Sequence, residues 1–200
     1  VTVQPADPNR AGYTFAYWKN GDTAFIFGDA LTSDITLTAE WAAQNEVSYT
    51  VIHWQENAND DGYSYVESEP KSGAADSETA AKAKSYKGFT AQTITQETIK
   101  GDGSTIVNVY YKRNEYKVEF YSVKWKGGLF GEYVADKLLK TITAKHGADI
   151  SKQWPTINGS RTWRIKPNSS TCQSSIQTMP LNGASFYGPE TGENTETAYY

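Results

Sequence analysis

The sequence predicts an α+β, mostly β protein made of tandem small β-rich modules. The clearest observation is the stretch from Gly101 to Tyr121. Val107, Val109 and Tyr111 alternate with Ile106, Asn108 and Tyr110, and Tyr116, Val118 and Phe120 alternate with Lys117 and Glu119, the two-residue period of half-buried strands. Lys112, Arg113 and Asn114 interrupt the pattern, so one module closes and the next opens there. A second observation is recurrence: Tyr49 to Trp54 opens a strand much as Tyr116 to Phe120 does, and the chain stops on Tyr199-Tyr200 as the earlier module stops on Tyr110-Tyr111. The third is composition. Hydrophobic content is 38% and aromatic content 14%, with 14 Tyr and 6 Trp, and the mean hydropathy is -0.62. A few large rings can fill several small cores on such a composition, whereas one large core would need more aliphatic residues.

These breaks divide the chain into 1–45, 46–113 and 114–200, with formal charges of -3, -3 and +2. None of the three is a basic footprint for nucleic acid. No apolar run approaches about 20 residues, so no membrane-inserting segment is expected. The single cysteine, Cys172, permits no intrachain disulfide, which fits a Gram-positive surface better than an animal extracellular setting and fits an intracellular protein equally. No signal peptide is legible and the chain opens on Val1, the expectation for an excised piece of a longer protein.

In the first module, Pro5 and Pro8 hold the opening extended, Gly12 and Gly21 mark turns, and Phe25–Phe27 and Ile35–Trp41 read as short strands. The pattern of Pro5, Asp7, Pro8, Arg10, Gly12, Tyr13, Phe15 and Trp18, followed by Asp34, Ile35, Leu37, Ala39 and Trp41, resembles the Listeria-Bacteroides repeat of bacterial surface proteins, which is related to the internalin B-repeat. Tyr17 stands where that repeat usually has Gly, and the opening strands of a full repeat are absent. In the middle module, the strand from Tyr49 to Trp54 leads to a polar turn at Asn57–Gly62 and a returning strand at Tyr63–Glu67. Asp76 or Ser77 can cap a helix running through Ala80, Ala81 and Ala83 to Tyr86, with Gly88 as its stop. The order strand, strand, helix, strand, strand resembles the ubiquitin-like β-grasp of internalin B-repeats.

The last module opens on Tyr116–Phe120, turns at Gly127-Gly128, returns near Leu138–Ala144, and offers a short helix from Asp149 toward Trp154, halted by Pro155. Residues 155–178 are mostly polar and read as loops. Met179 through Tyr187 resembles the closing part of such repeats, with Tyr199-Tyr200 as a last strand.

The residues offer little to an enzyme. His53 sits in a strand and His146 in a turn, neither beside a nucleophile motif, and Cys172 lacks C-x-x-C spacing or an evident base. Asn57, Asp60 and Asp61 present several oxygens that could hold calcium, but the spacing departs from a D-x-D-x-D-G loop and hairpin chemistry explains the same residues. No catalytic, cofactor or metal residues are assigned. Exposed rings beside cations define the one candidate binding surface: Trp125, Trp154 and Trp163 with Arg161 and Arg164. Trp18, Trp41 and Trp54 are expected to fill cores. A self-formed Lys-to-Asn or Lys-to-Asp cross-link is a further device of some surface domains.

The resemblance implies an extracellular, cell wall-associated, monomeric repeat region. It would act as stalk or adhesion scaffold toward a host-cell or matrix protein or glycan. The alternative expectation is a glycan- or protein-binding module in residues 114–200.

Overall fold

The computed structural model describes residues 1–156 and 162–190. The strands are β1 (Tyr13–Asn20), β2 (Thr23–Ala24), β3 (Thr38–Ala43), β4 (Val47–Glu56), β5 (Tyr63–Gly73), β6 (Phe89–Ala91), β7 (Ile106–Arg113), β8 (Glu115–Lys126), β9 (Glu132–Lys145), β10 (Trp163–Arg164), β11 (Cys172–Gln173) and β12 (Ala184–Glu190). They form three sheets in the orders β2-β1-β3, β5-β4-β7-β6 and β11-β10-β12-β8-β9, so each sheet is drawn from one contiguous stretch. The fold is mostly β. Among the described residues the only helical turn is a 3-10 turn at Ser151–Gln153, where a short helix toward Trp154 was expected.

The chain forms two compact units. The first comprises Val1–Trp54, Tyr65–Ala83 and Gln92–Tyr110, and the second Gln55–Ser64, Lys84–Ala91 and Tyr111–Tyr200.

In the first unit, β1 pairs antiparallel with β3, with a register shift between Phe15 and Tyr17. The expected strand at Phe25–Phe27 is not formed. β2 ends at Ala24, and the Phe25 and Phe27 rings instead meet edge-on at 4.8 Å. Residues 1–46 contain no fully buried side chain; Phe15 packs between Trp18 and Trp41 at 5.5 and 5.8 Å, all three half-buried. So thin a layer cannot supply the area that offsets its own ordering entropy. It is tied to the rest of its unit instead. Gln44 N donates to Gly12 O and Ala75 N to Gln44 O, both at 2.9 Å, and Tyr13 donates its hydroxyl to the Asp76 carboxylate. Gly12 and Gly101 approach so closely that a Cβ on Gly12 would lie 2.2 Å from Gly101 Cα.

The helix expected from Asp76 to Tyr86 is absent. The segment runs extended, because its backbone groups find partners outside themselves: Thr79 N donates to Glu97 O at 2.8 Å and Ile99 N to Ser77 O at 2.8 Å. Gln96 Oε1 accepts from Ala81 N at 2.9 Å and its Nε2 returns a bond to Ala81 O at 2.9 Å. Tyr49 hydroxyl accepts from Ala80 N at 3.1 Å. A run of alanines gains only tenths of a kcal/mol each from helix propensity, and these bonds outweigh it. Thr79 and Ala81 are buried and Ala80 exposed, a period of two.

In the second unit, β8 and β9 form a long antiparallel hairpin, and β12 joins β8 in parallel register, Phe186 opposite Phe120. Val118, Phe120, Ile142, Ile150, Trp154, Trp163, Met179 and Phe186 make its core. Phe120 is the hub, touching Trp154 edge-on at 5.0 Å, Trp163 at 4.8 Å and Phe186 in a stack at 5.6 Å.

Candidate functional site

The sequence-predicted surface does not come together. Trp154 is 4% exposed and Trp163 fully enclosed, with Trp163 Nε1 donating to Pro155 O at 3.2 Å. Both are core residues, because the polar stretch that carries Trp163 has no other large ring with which to dock on Phe120. Arg161 lies outside the described residues, as does the expected last strand at Tyr199-Tyr200. Trp125 and Arg164 remain. Trp125 is 46% exposed, and Arg164 Nη1 donates to Pro167 O at 3.3 Å. Trp54, expected in a core, is half-buried on an outer sheet face: it stacks on Tyr110 at 6.4 Å and donates from Nε1 to Asn108 Oδ1 at 2.8 Å.

Trp125 and Arg164 meet at a groove of about 570 Å³ bordered by Tyr133, Asn168 and Ser170. A neighbouring groove of about 500 Å³ shares Tyr133, Pro167 and Asn168 and continues past Glu132 and Lys166. The walls are fixed. Asn168 Oδ1 accepts from Tyr133 N at 2.7 Å and its Nδ2 donates to Tyr133 O at 2.8 Å, so the side chain mimics a paired strand along the edge of β9. Trp125 sits edge-on to Tyr133 at 5.2 Å and donates from Nε1 to Gly128 O at 3.2 Å. Gly131 makes room for that indole, since a Cβ there would lie 2.7 Å from its Nε1. The Arg164 guanidinium lies 5.5 Å from the Tyr133 ring centroid.

A second cluster surrounds the link between β7 and β8, which is Asn114 alone. Arg113 N donates to Glu56 Oε2 at 2.8 Å, Arg113 Nε to Glu56 O at 2.6 Å, and Arg113 Nη1 to His146 O at 2.9 Å. Asn114 N donates to Gly88 O and His146 N to Asn114 O, both at 2.8 Å. Lys145 Nζ lies 3.0 Å from Glu56 Oε1 and from Asp61 Oδ1, and donates to Asp60 O at 3.0 Å. Burial raises the Glu56 pKa, but the Arg113 N–H and the Lys145 ammonium outweigh it and leave the carboxyl below the usual range. The bonds to Glu56 and then Asp61 raise Lys145 above an ordinary lysine.

Two ideas raised by the sequence fall on this cluster. The Asn57–Gly62 turn is held by its own bonds, Asn57 Nδ2 and Gly62 N both donating to Asp60 Oδ1 at 2.8 and 2.7 Å. Two of its oxygens, Asp60 O and Asp61 Oδ1, face the Lys145 ammonium, and Asn59 Oδ1 accepts from Asp149 N. Among the described residues no group of three or more His, Cys, Asp or Glu could hold a metal. Lys145, Asp61 and Glu56 also have the residue types of a self-formed amide cross-link. In the structure the contact is an ion pair: the bonds to Glu56 and Asp61 raise the Lys145 pKa, and the Asp61 side chain is fully solvated. An intact mass equal to that of the sequence, without loss of one water, checks this.

His53 is buried with Nε2 3.7 Å from Glu69 Oε1. Phe89 and Tyr116 enclose His146 edge-on at 6.5 and 6.2 Å. Cys172 is exposed in β11. No family model, curated protein or solved structure matches this chain.

Proposed function

We propose that the chain is a repeat region of a bacterial cell-surface protein, a stalk and adhesion scaffold in the wall-associated extracellular space. The single observation that carries this reading is the Arg113–Asn114–Glu115 link. A spacer that projects a distal domain has to resist extension at its joints. Here one residue separates β7 from β8, and Glu56, Gly88 and His146 bind the backbone of that residue and of Arg113 before it. Sequence recurrence and the derivation of each sheet from one contiguous stretch support the same reading. The middle sheet, counted within itself, has the strand order 2-1-4-3. We read it as a β-grasp-like sheet in which an extended segment stands where the helix would be.

The test is display on a Gram-positive cell wall with an epitope tag at the distal end. The tag is expected to reach bead-bound antibody with the chain in place and to lose access when the chain is deleted. Equal access after deletion would reject the spacer role.

A further inference from the structure

The geometry points to a second property, independent of the spacer reading: the groove between Trp125 and Arg164 binds an acidic oligosaccharide, with one sugar ring on the indole and a carboxylate at the guanidinium. Three features of the groove select this ligand class. Trp125 keeps 46% of its surface open although its Nε1 is tied to Gly128 O and its edge to Tyr133. A ring locked in place with a free face loses little entropy when an apolar surface settles on it, and the C–H face of a pyranose is flat and of matching size. The two grooves are shallow and continuous through Tyr133 and Asn168, which suits an extended chain of polar rings better than a compact apolar molecule.

Charge supplies the third feature. Among the described residues, Arg164 is the only charged one bordering the groove that holds Trp125, and it is oriented by Pro167 O and the Tyr133 ring. A guanidinium fixed in this way presents its remaining N–H groups as a fork for a carboxylate. The continuation past Glu132 and Lys166 carries both signs, so the acidic group is expected at the Trp125 end. Ser170 and Cys172 border the same end with small polar side chains.

The experiment uses the whole chain, with a hyaluronan tetrasaccharide as the acidic probe and cellotetraose as the neutral one. The indole N–H resonance of Trp125, assigned by its loss in Trp125→Phe, is followed by NMR titration. The hyaluronan fragment is expected to shift it and to bind about fivefold or more tightly than cellotetraose, a preference that Arg164→Gln removes. Trp125→Ala should weaken binding about tenfold or more while its thermal midpoint stays within a degree or two of the parent. Alkylation of Cys172, the only cysteine, with a bulky maleimide is expected to block the site without touching Trp125. No shift with either sugar would overturn the proposal, and so would an equal response to both or binding that survives Trp125→Ala.

Discussion

Glu56 Oε1 and Lys145 Nζ lie 3.0 Å apart, the carboxylate almost fully enclosed and the ammonium partly open. The same carboxylate accepts Arg113 N through its other oxygen. Glu56→Ala would therefore orphan a backbone donor and an ammonium together. It is expected to cost about 2–3 kcal/mol, below the range for a wholly buried pair because Lys145 reaches water. Glu56→Gln keeps an acceptor for Arg113 N and should cost roughly half as much. Urea unfolding with an unchanged m-value reads both.

Stability should fall on the acid side through the same group. Glu56 titrates below its ordinary value of 4.5 in the fold, so its contribution is present above that value and is lost as pH falls through the folded pKa. Lys145 has the opposite sign. It is raised above 10.5, so its contribution holds below that pH and disappears as pH rises through the folded pKa. Thermal midpoints are expected to be flat near neutrality and to drop below about pH 4.5, with a shallower acid limb in Glu56→Gln. An acid limb unchanged in that variant would assign the loss to Asp60, Asp102 and Asp149, all also lowered, chiefly by bonds from Asn57, Ser104 and Ser151.

Gly101→Ala should detach the first sheet. A Cβ at Gly101 would sit 2.1 Å from Ala11 O, a backbone atom that cannot swing aside. The expected cost is about 2–4 kcal/mol, with protease cleavage appearing within residues 1–45 before the rest of the chain is cut. The adjoining Gly12 has φ +78, so alanine there is strained twice over.

Trp163→Ala removes the ring that docks a polar segment on Phe120. It is expected to cost about 3–5 kcal/mol, with Trp163→Phe milder. Near-ultraviolet circular dichroism should lose its aromatic signal with the alanine variant. A neutral outcome would return Trp163 to the surface role that the sequence suggested.

Strand periodicity was legible wherever a sheet had one enclosed face. Val107, Val109 and Tyr111 are buried and Ile106, Asn108 and Tyr110 exposed, and Val118 and Phe120 are buried as their alternation requires. The stretch from Asp76 to Tyr86 misled because local propensity favoured a helix, while the acceptors that hold it extended, Gln96, Glu97 and Tyr49, lie far away in sequence. Trp154 and Trp163 misled for a related reason. Their neighbours are polar, and only long-range packing on Phe120 shows that single rings can anchor such segments. The groove was half legible: Trp125 and Arg164 were expected at a surface, but Tyr133 and Asn168 gave no local sign of joining them. The bidentate bond from Asn168 to β9 spans 35 positions.

The parallel pairing of β12 with β8 has a consequence for how the chain is made. β12 is the last described strand to be synthesised, yet it lies in the interior of its sheet, between β10 and β8. Until it arrives, the β8–β9 hairpin shows an unpaired inner edge and Phe120 lacks its stacking partner Phe186. The sheet of that unit is therefore completed only once β12 has emerged. A chain stalled before Ala184 exposes an adhesive strand edge, the species most in need of a chaperone.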